Sequence, residues 1–161
     1  MITVGVIGNP NVGKTELYNR LTGSRGHVAN WPGVTVQKRE WTGKIKGEEI
    51  KFIDLPGLYS LTAEATDQLI ARNFIVEEKP DVVLDIVDVS NLERNLYLTL
   101  LLLELEANLV VALNMWDVAQ SRGDNIAVSR LSEMLGVPVV PTVATTGEGL
   151  DKLRDEIVKA A

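Results

Sequence analysis

Cysteine is absent from the 161 residues, which excludes disulfides and thiolate-held metal sites and fits a cytosolic chain. Positive charge is in short supply. Sixteen Lys and Arg stand against twenty-two Asp and Glu, a formal net charge of −6. Nucleic-acid binders are more often basic, so RNA and DNA lose weight as partners. Histidine occurs once, and His27 reads as a solvated loop residue. Glu77, Glu78, Glu104 and Glu106 read as solvated helix faces, so no metal cluster is expected from them. The start "MITVGVIG" lacks the basic region and cleavage site of a signal peptide. The longest apolar stretch, Leu96 to Met115, is broken by Glu104, Glu106 and Asn108 and does not read as a membrane span. A soluble chain is expected. The ending "IVKAA", with no tail, also suits a piece of a longer protein.

The composition that remains is ordinary for a globular domain: 45% hydrophobic and 24% charged. The length suits one domain, residues 1–161, with a substantial core. Apolar runs alternate with helical patterns, the sign of an α/β fold with a mostly parallel sheet of about six strands and helices on both faces. Strands are expected at Ile2 to Gly8, on both sides of a turn at Lys46-Gly47-Glu48, at "DVVLDIVDV", at "NLVVALN" and at Val137 to Val140. Helices are expected at Lys14 to Leu21, Ala65 to Glu78, Arg94 to Glu106, after Met115, at Ile126 to Leu135 and at Gly149 to Lys159. Residues 23–37 show no period and read as a long loop. Ligands of such sheets sit at the carboxyl ends of the strands, and the motifs all fall there.

"GNPNVGKT" runs Gly8, Asn9, Pro10, Asn11, Val12, Gly13, Lys14, Thr15 between a strand and a helix, and fits G-x-x-x-x-G-K-[ST]. Backbone N–H groups curl around phosphates, Lys14 reaches the β- and γ-phosphates, and the Thr15 hydroxyl takes Mg²⁺. Asp54-Leu55-Pro56-Gly57 resembles the segment that GTPases place beside the γ-phosphate, with Asp54 on the Mg²⁺ side and the Gly57 N–H on the phosphate. Thr35, in "NWPGVTV", stands where GTPases close a threonine on Mg²⁺ and the γ-phosphate. "NMWD" gives Asn114, Met115 and Asp117. The Asp117 carboxylate suits the guanine N1–H and amine, and adenine would leave it unpaired. Met115 replaces the usual lysine. "PTVATTGEGL" puts Val143, Ala144 and Thr145 beside the base. Val143 lacks the usual serine hydroxyl, for which Thr145 and Thr146 are candidates. Trp31 either packs beside the nucleotide or is an exposed loop residue.

"NWPGVTV", "DLPGLYSLTA", "EEKPDVV" and "NLERNLYLTLLLLEL" resemble the N-terminal cytosolic G domain of the FeoB ferrous iron transport family, from about Ile2 to Lys159. The resemblance implies a GTP- and GDP-binding switch. It would hydrolyse GTP slowly and serve a membrane-embedded iron transport region of the same polypeptide. The family's helical and membrane domains are not in this chain. It also implies a place at the cytoplasmic side of the cell membrane, and it leaves room for homo-oligomers. Asn11 resembles the asparagine with which such GTPases hold K⁺. Catalysis would then rest on Asn11, Lys14, Thr35 and Gly57. Two other readings fit the generic motifs: a ribosome- or tRNA-associated GTPase, and a switch with negligible turnover. The second arises because Leu58 follows Gly57 where other GTPases carry a water-orienting glutamine.

Overall fold

Period-two alternation along the central strands divides the core into layers. In the computed structural model, which describes residues 1–24, 26–61 and 65–161, Val4 and Val6 of β1 (Ile2–Gly8), Leu84 and Ile86 of β5 (Val82–Asp88) and Val110 and Ala112 of β6 (Leu109–Asn114) face one layer. Ile7, Val83, Val87, Val111 and Leu113 face the other side. Strands β5 and β6 are buried at every position, as parallel strands covered on both faces must be. The sheet order is β2-β3-β4-β1-β5-β6-β7. The run from β4 (Glu48–Asp54) through β1, β5 and β6 to β7 (Val139–Pro141) is parallel. The strands β2 (His27–Asn30) and β3 (Gln37–Ile45) add antiparallel pairs at one edge.

Helices α1 (Lys14–Thr22) and α6 (Leu150–Ala160) cover the first layer with Leu17, Leu21, Leu153 and Ile157. On the second face lie α2 (Thr66–Asn73) and α3 (Leu92–Glu104), which contribute Ala71, Leu98 and Leu102. Ala119 of α4 (Trp116–Arg122) and Leu131 of α5 (Val128–Leu135) close a third cluster against β6 and β7. Among the described residues, no helix is long and apolar enough to cross a membrane.

The sheet has seven strands rather than six. The extra one, β2, lies inside the stretch 23–37, which from sequence reads as loop. All four of its residues are exposed, so it carries no apolar alternation. Its backbone pairing with β3 alone makes it a strand. The helix expected over Ala65 to Glu78 begins at Thr66 and finishes in a π-helical turn, Phe74–Glu78.

Asp85, which interrupts the apolar β5, is 1% exposed. The Thr99 hydroxyl of α3 donates to its Oδ2, while Oδ1 is buried without a partner among the described residues. Burial pushes its carboxyl up from 3.8 to about 7, and the Thr99 hydrogen bond opposes this. The native carboxyl therefore holds a proton that the unfolded chain has already released, across the window from 3.8 to about 7. Stability falls as pH rises through that window. Urea unfolding at pH 5 and pH 8 should show the loss, with an upper bound of roughly 2.7 kcal/mol for the two units between pH 5 and about 7, and Asp85→Asn should flatten it. A wild-type chain equally stable at both pH values contradicts this assignment.

Candidate functional site

Four segments meet at the carboxyl ends of β1, β4, β6 and β7. In the first, Gly8 to Thr15, Gly13 takes a φ of 80°. A Cβ there would stand 2.6 Å from Asn114 Nδ2, so only glycine lets the loop lie against Asn114. Asn11 also has a positive φ, 65°, which asparagine tolerates better than most residues. Asn11 and Thr15 are exposed, and their side chains make no hydrogen bond among the described residues. Asn9 is the opposite: it is 3% exposed, and both ends of its carboxamide are buried without a partner among the described residues.

The second segment, Asp54 to Leu58, crosses the end of β1. The Leu55 N–H donates to the Val6 carbonyl at 2.8 Å and the Leu58 N–H to the Gly8 carbonyl at 3.1 Å. Gly57 is exposed and lies beside Pro10, where a Cβ would stand 3.5 Å from Pro10 Cα. The Lys14 ammonium donates to Asp54 Oδ1 and, at 2.9 Å, to the Leu55 carbonyl. The two charged side chains are 11% and 14% exposed, and each offsets the other's loss of water. A polyphosphate with a divalent cation offers both a new partner, phosphate for Lys14 and metal for Asp54. That exchange leaves no buried charge alone.

Asn114 ends β6 and ties the remaining loops together. Its Nδ2 donates to the Val12 carbonyl at 2.8 Å. Its Oδ1 accepts from the Thr142 hydroxyl and the Ala144 N–H, each at 3.2 Å. Met115 turns the chain with a φ of 62°, leaving Asp117 exposed in the first turn of α4. Trp116 N–H donates to the Thr142 carbonyl at 3.2 Å. The loop after β7 is closed by the Val143 N–H on the Glu148 carbonyl, 3.0 Å, and by the Thr146 hydroxyl, which accepts from the Glu148 N–H at 3.3 Å. Val143 and Ala144 are buried and Thr145 is exposed.

Most of the residues expected from sequence converge here. Thr35 does not: it is exposed in the turn between β2 and β3, two strands from β1. That turn is nevertheless at the right end of the sheet, since Arg39, near the start of β3, pairs with Asp54. Trp31 is not an exposed loop residue, being 8% exposed within the second core layer. Two further contributors were not singled out from sequence. Thr142, fully buried, donates its hydroxyl to Asn114 Oδ1 at 3.2 Å. Arg20 of α1 donates to the Thr145 carbonyl at 2.6 Å and pins the same loop. Its position one and a half turns beyond Lys14 carries no motif signal.

A family model described as ferrous iron transport protein B matches residues 2–157. The chain belongs to the ferrous iron transport protein B family. It is 48% identical over 157 residues to the Fe(2+) transporter FeoB of Escherichia coli K12, covering 95% of this chain and 20% of that protein. It is also 48% identical over 159 residues to an Fe(2+) transport protein A/FeoB fusion of Porphyromonas gingivalis, covering 98% and 19%. The chain thus spans about a fifth of the length of the relatives it matches. Among solved structures, the FeoB G-domain of Methanococcus jannaschii superposes with a TM-score of 0.87 at 47% identity, covering 99% of this chain and 98% of that one. The cytosolic domain of the T. maritima FeoB in its GMPPNP form gives 0.95 at 45%, covering 99% and 63%. The fold is therefore that of the FeoB G domain.

If Asn114 is the tie between the phosphate loop and the base loop, Asn114→Ala should destabilise the chain by about 2–4 kcal/mol. Thr142→Val, which keeps the shape and removes one hydroxyl, should cost about 1 kcal/mol. Urea midpoints at constant slope measure both. An Asn114→Ala loss below about 0.5 kcal/mol would place it among ordinary surface changes.

Proposed function

We propose that this chain binds Mg²⁺-GTP and GDP at the carboxyl end of its sheet and hydrolyses GTP slowly, stimulated by K⁺. In the longer protein this would regulate or drive ferrous iron uptake by a membrane-embedded region, from the cytoplasmic side. The observation that carries the reading is the convergence of Lys14, Asp54 and Asn114 on one loop, Gly8 to Thr15. The relatives support it: they are Fe(2+) transporters, and one cytosolic domain was solved with GDP and with GMPPNP.

The residues present fit the two cations. Thr15, Asp54 and, after closure of its turn, Thr35 would hold Mg²⁺. Asn11 has an unengaged carboxamide oxygen at the exposed rim of the phosphate loop, and would hold K⁺. When bound, the two ions supply positive charge to the phosphate oxygens, where negative charge grows as the γ-phosphoryl group leaves. Lys14 transfers its ammonium from Asp54 to the β- and γ-phosphates. Gly57 offers its N–H to the γ-phosphate. Asp117 accepts from the guanine N1–H and amine, Met115 covers the base face, and the backbone of Val143, Ala144 and Thr145 borders the guanine oxygen. Leu58, 4% exposed, is packed into the core and orients no water. Backbone groups of the 26–35 segment take that part.

Two measurements test the reading. Hydrolysis should run at least roughly tenfold faster in K⁺ than in Na⁺ at equal ionic strength. Asn11→Ala should erase that difference and leave GTP binding largely intact. Equal rates in both salts would instead support the switch with negligible turnover. Asp117→Asn exchanges an acceptor for a donor, which suits xanthine. GTP affinity should drop roughly a hundredfold and XTP affinity rise. Unchanged GTP binding would reduce Asp117 to a helix-end residue.

A further inference from the structure

The turn that carries Thr35 and the segment that carries Gly57 share one apolar cluster. The turn is closed by the Trp31 N–H on the Val36 carbonyl at 2.9 Å and the Val34 N–H on the Trp31 carbonyl at 3.2 Å. Its Trp31, Val34 and Val36 share one buried cluster with Leu58 and Leu61, from the segment after Gly57, and with Ala71 and Phe74 at the end of α2. The Trp31 ring meets Phe74 edge-on, with centroids 6.1 Å apart and planes at 75°. Phe74 in turn sits over β1 at Gly5, where a Cβ would come within 2.9 Å of its ring. The Lys38 ammonium lies 4.7 Å from the Trp31 centroid and covers the other side of the ring.

The ring is held by shape and not by a hydrogen bond. Its Nε1–H is buried without an acceptor among the described residues.

We infer that Trp31 is a positioning residue: its ring makes residues 31–36 and 55–61 one apolar body, so that Thr35 and Gly57 approach a γ-phosphate together. The inference rests on the guanine-nucleotide reading for its purpose, but its mechanical part does not need nucleotide. It also gives Leu58 a use. The side chain at that position is the anchor of the second segment in the shared cluster, and a glutamine there would remove it.

Hydrogen exchange of the 161-residue chain, followed by mass spectrometry, tests this in two arms. Without nucleotide, Trp31→Ala should speed exchange of amides 55–61 at least about tenfold while β5 and β6 stay as in wild type. Trp31→Phe, which keeps an apolar ring, should restore most of the protection. With GMPPNP, wild type should gain protection in both segments, and Trp31→Ala in 31–36 alone. Its kcat should fall roughly tenfold with KM within about twofold, the pattern of lost transition-state alignment. Wild-type exchange in 55–61 of Trp31→Ala overturns the coupling. Should Trp31→Ala not fold, Phe74→Leu removes the edge contact at similar volume, and unaltered exchange there overturns it equally. A wild-type chain indifferent to GMPPNP refutes the nucleotide reading, and the first arm still decides the coupling.

Discussion

The carboxamide of Asn114 holds the nucleotide face together. It has one donor group and one acceptor oxygen, and it uses them in three bonds to two other segments: the Val12 carbonyl of the phosphate loop, and the Thr142 hydroxyl and Ala144 N–H of the base loop. At 2% exposure these bonds have no competition from water. The rest of the face is arranged around that fixed point. Gly13 must lack a side chain because Asn114 occupies its Cβ position. Met115 must turn sharply because the residue before it is locked. Asp117 then emerges at the start of α4, on the side where Ala144 presents its loop. Arg20 adds a second tie to that loop from α1, so the helix that follows the phosphate loop also fixes the base side.

The phosphate side works by exchange of partners. Lys14 and Asp54 are nearly desolvated and neutralise each other, with the Leu55 carbonyl as a further acceptor. Such a pair is costly to break by removing one member, yet easy to convert when both members are offered new opposite charges at once. That favours a ligand carrying phosphate and metal together over either alone. Beyond Gly57 the design departs from GTPases that orient water with a glutamine. Leu58 and Leu61 are committed to the core with Trp31 and Phe74, so precision in the second segment comes from packing. In the proposed function the chemistry left unassigned to that segment would fall to backbone groups and to the rim of the phosphate loop at Asn11.

Much of this was legible in the sequence because its signals are local. A phosphate loop needs glycines, a lysine and a hydroxyl at fixed spacing between strand and helix, and "GNPNVGKT" shows them. The strands β1 and β6 are apolar runs of strand length and β5 is one interrupted by Asp85, so their existence could be read directly. What escaped depends on partners far away in the chain. The strand His27–Asn30 has no apolar side to read and exists through its pairing with β3. Thr142 is buried because Asn114, 28 residues earlier, needs its hydroxyl. Asp85 sits in the apolar β5 because Thr99 of α3, 14 residues later, donates its hydroxyl to it. Trp31 lies in a polar stretch, yet it is core, because Leu58 and Phe74 converge on it from later segments.

We propose that the phosphate loop and the base loop, tied together by Asn114, form one guanine-nucleotide site. A backbone amide NMR titration of the isotope-labelled chain with Mg²⁺-GDP, and separately with Mg²⁺-ADP, tests this most directly. The account predicts that GDP shifts the amides of residues 11–15, 114–118 and 143–147 together, along one saturating curve, while ADP at the same concentrations leaves residues 114–118 and 143–147 in place. Equal responses to the two nucleotides, or shifts confined to the phosphate loop, would contradict it.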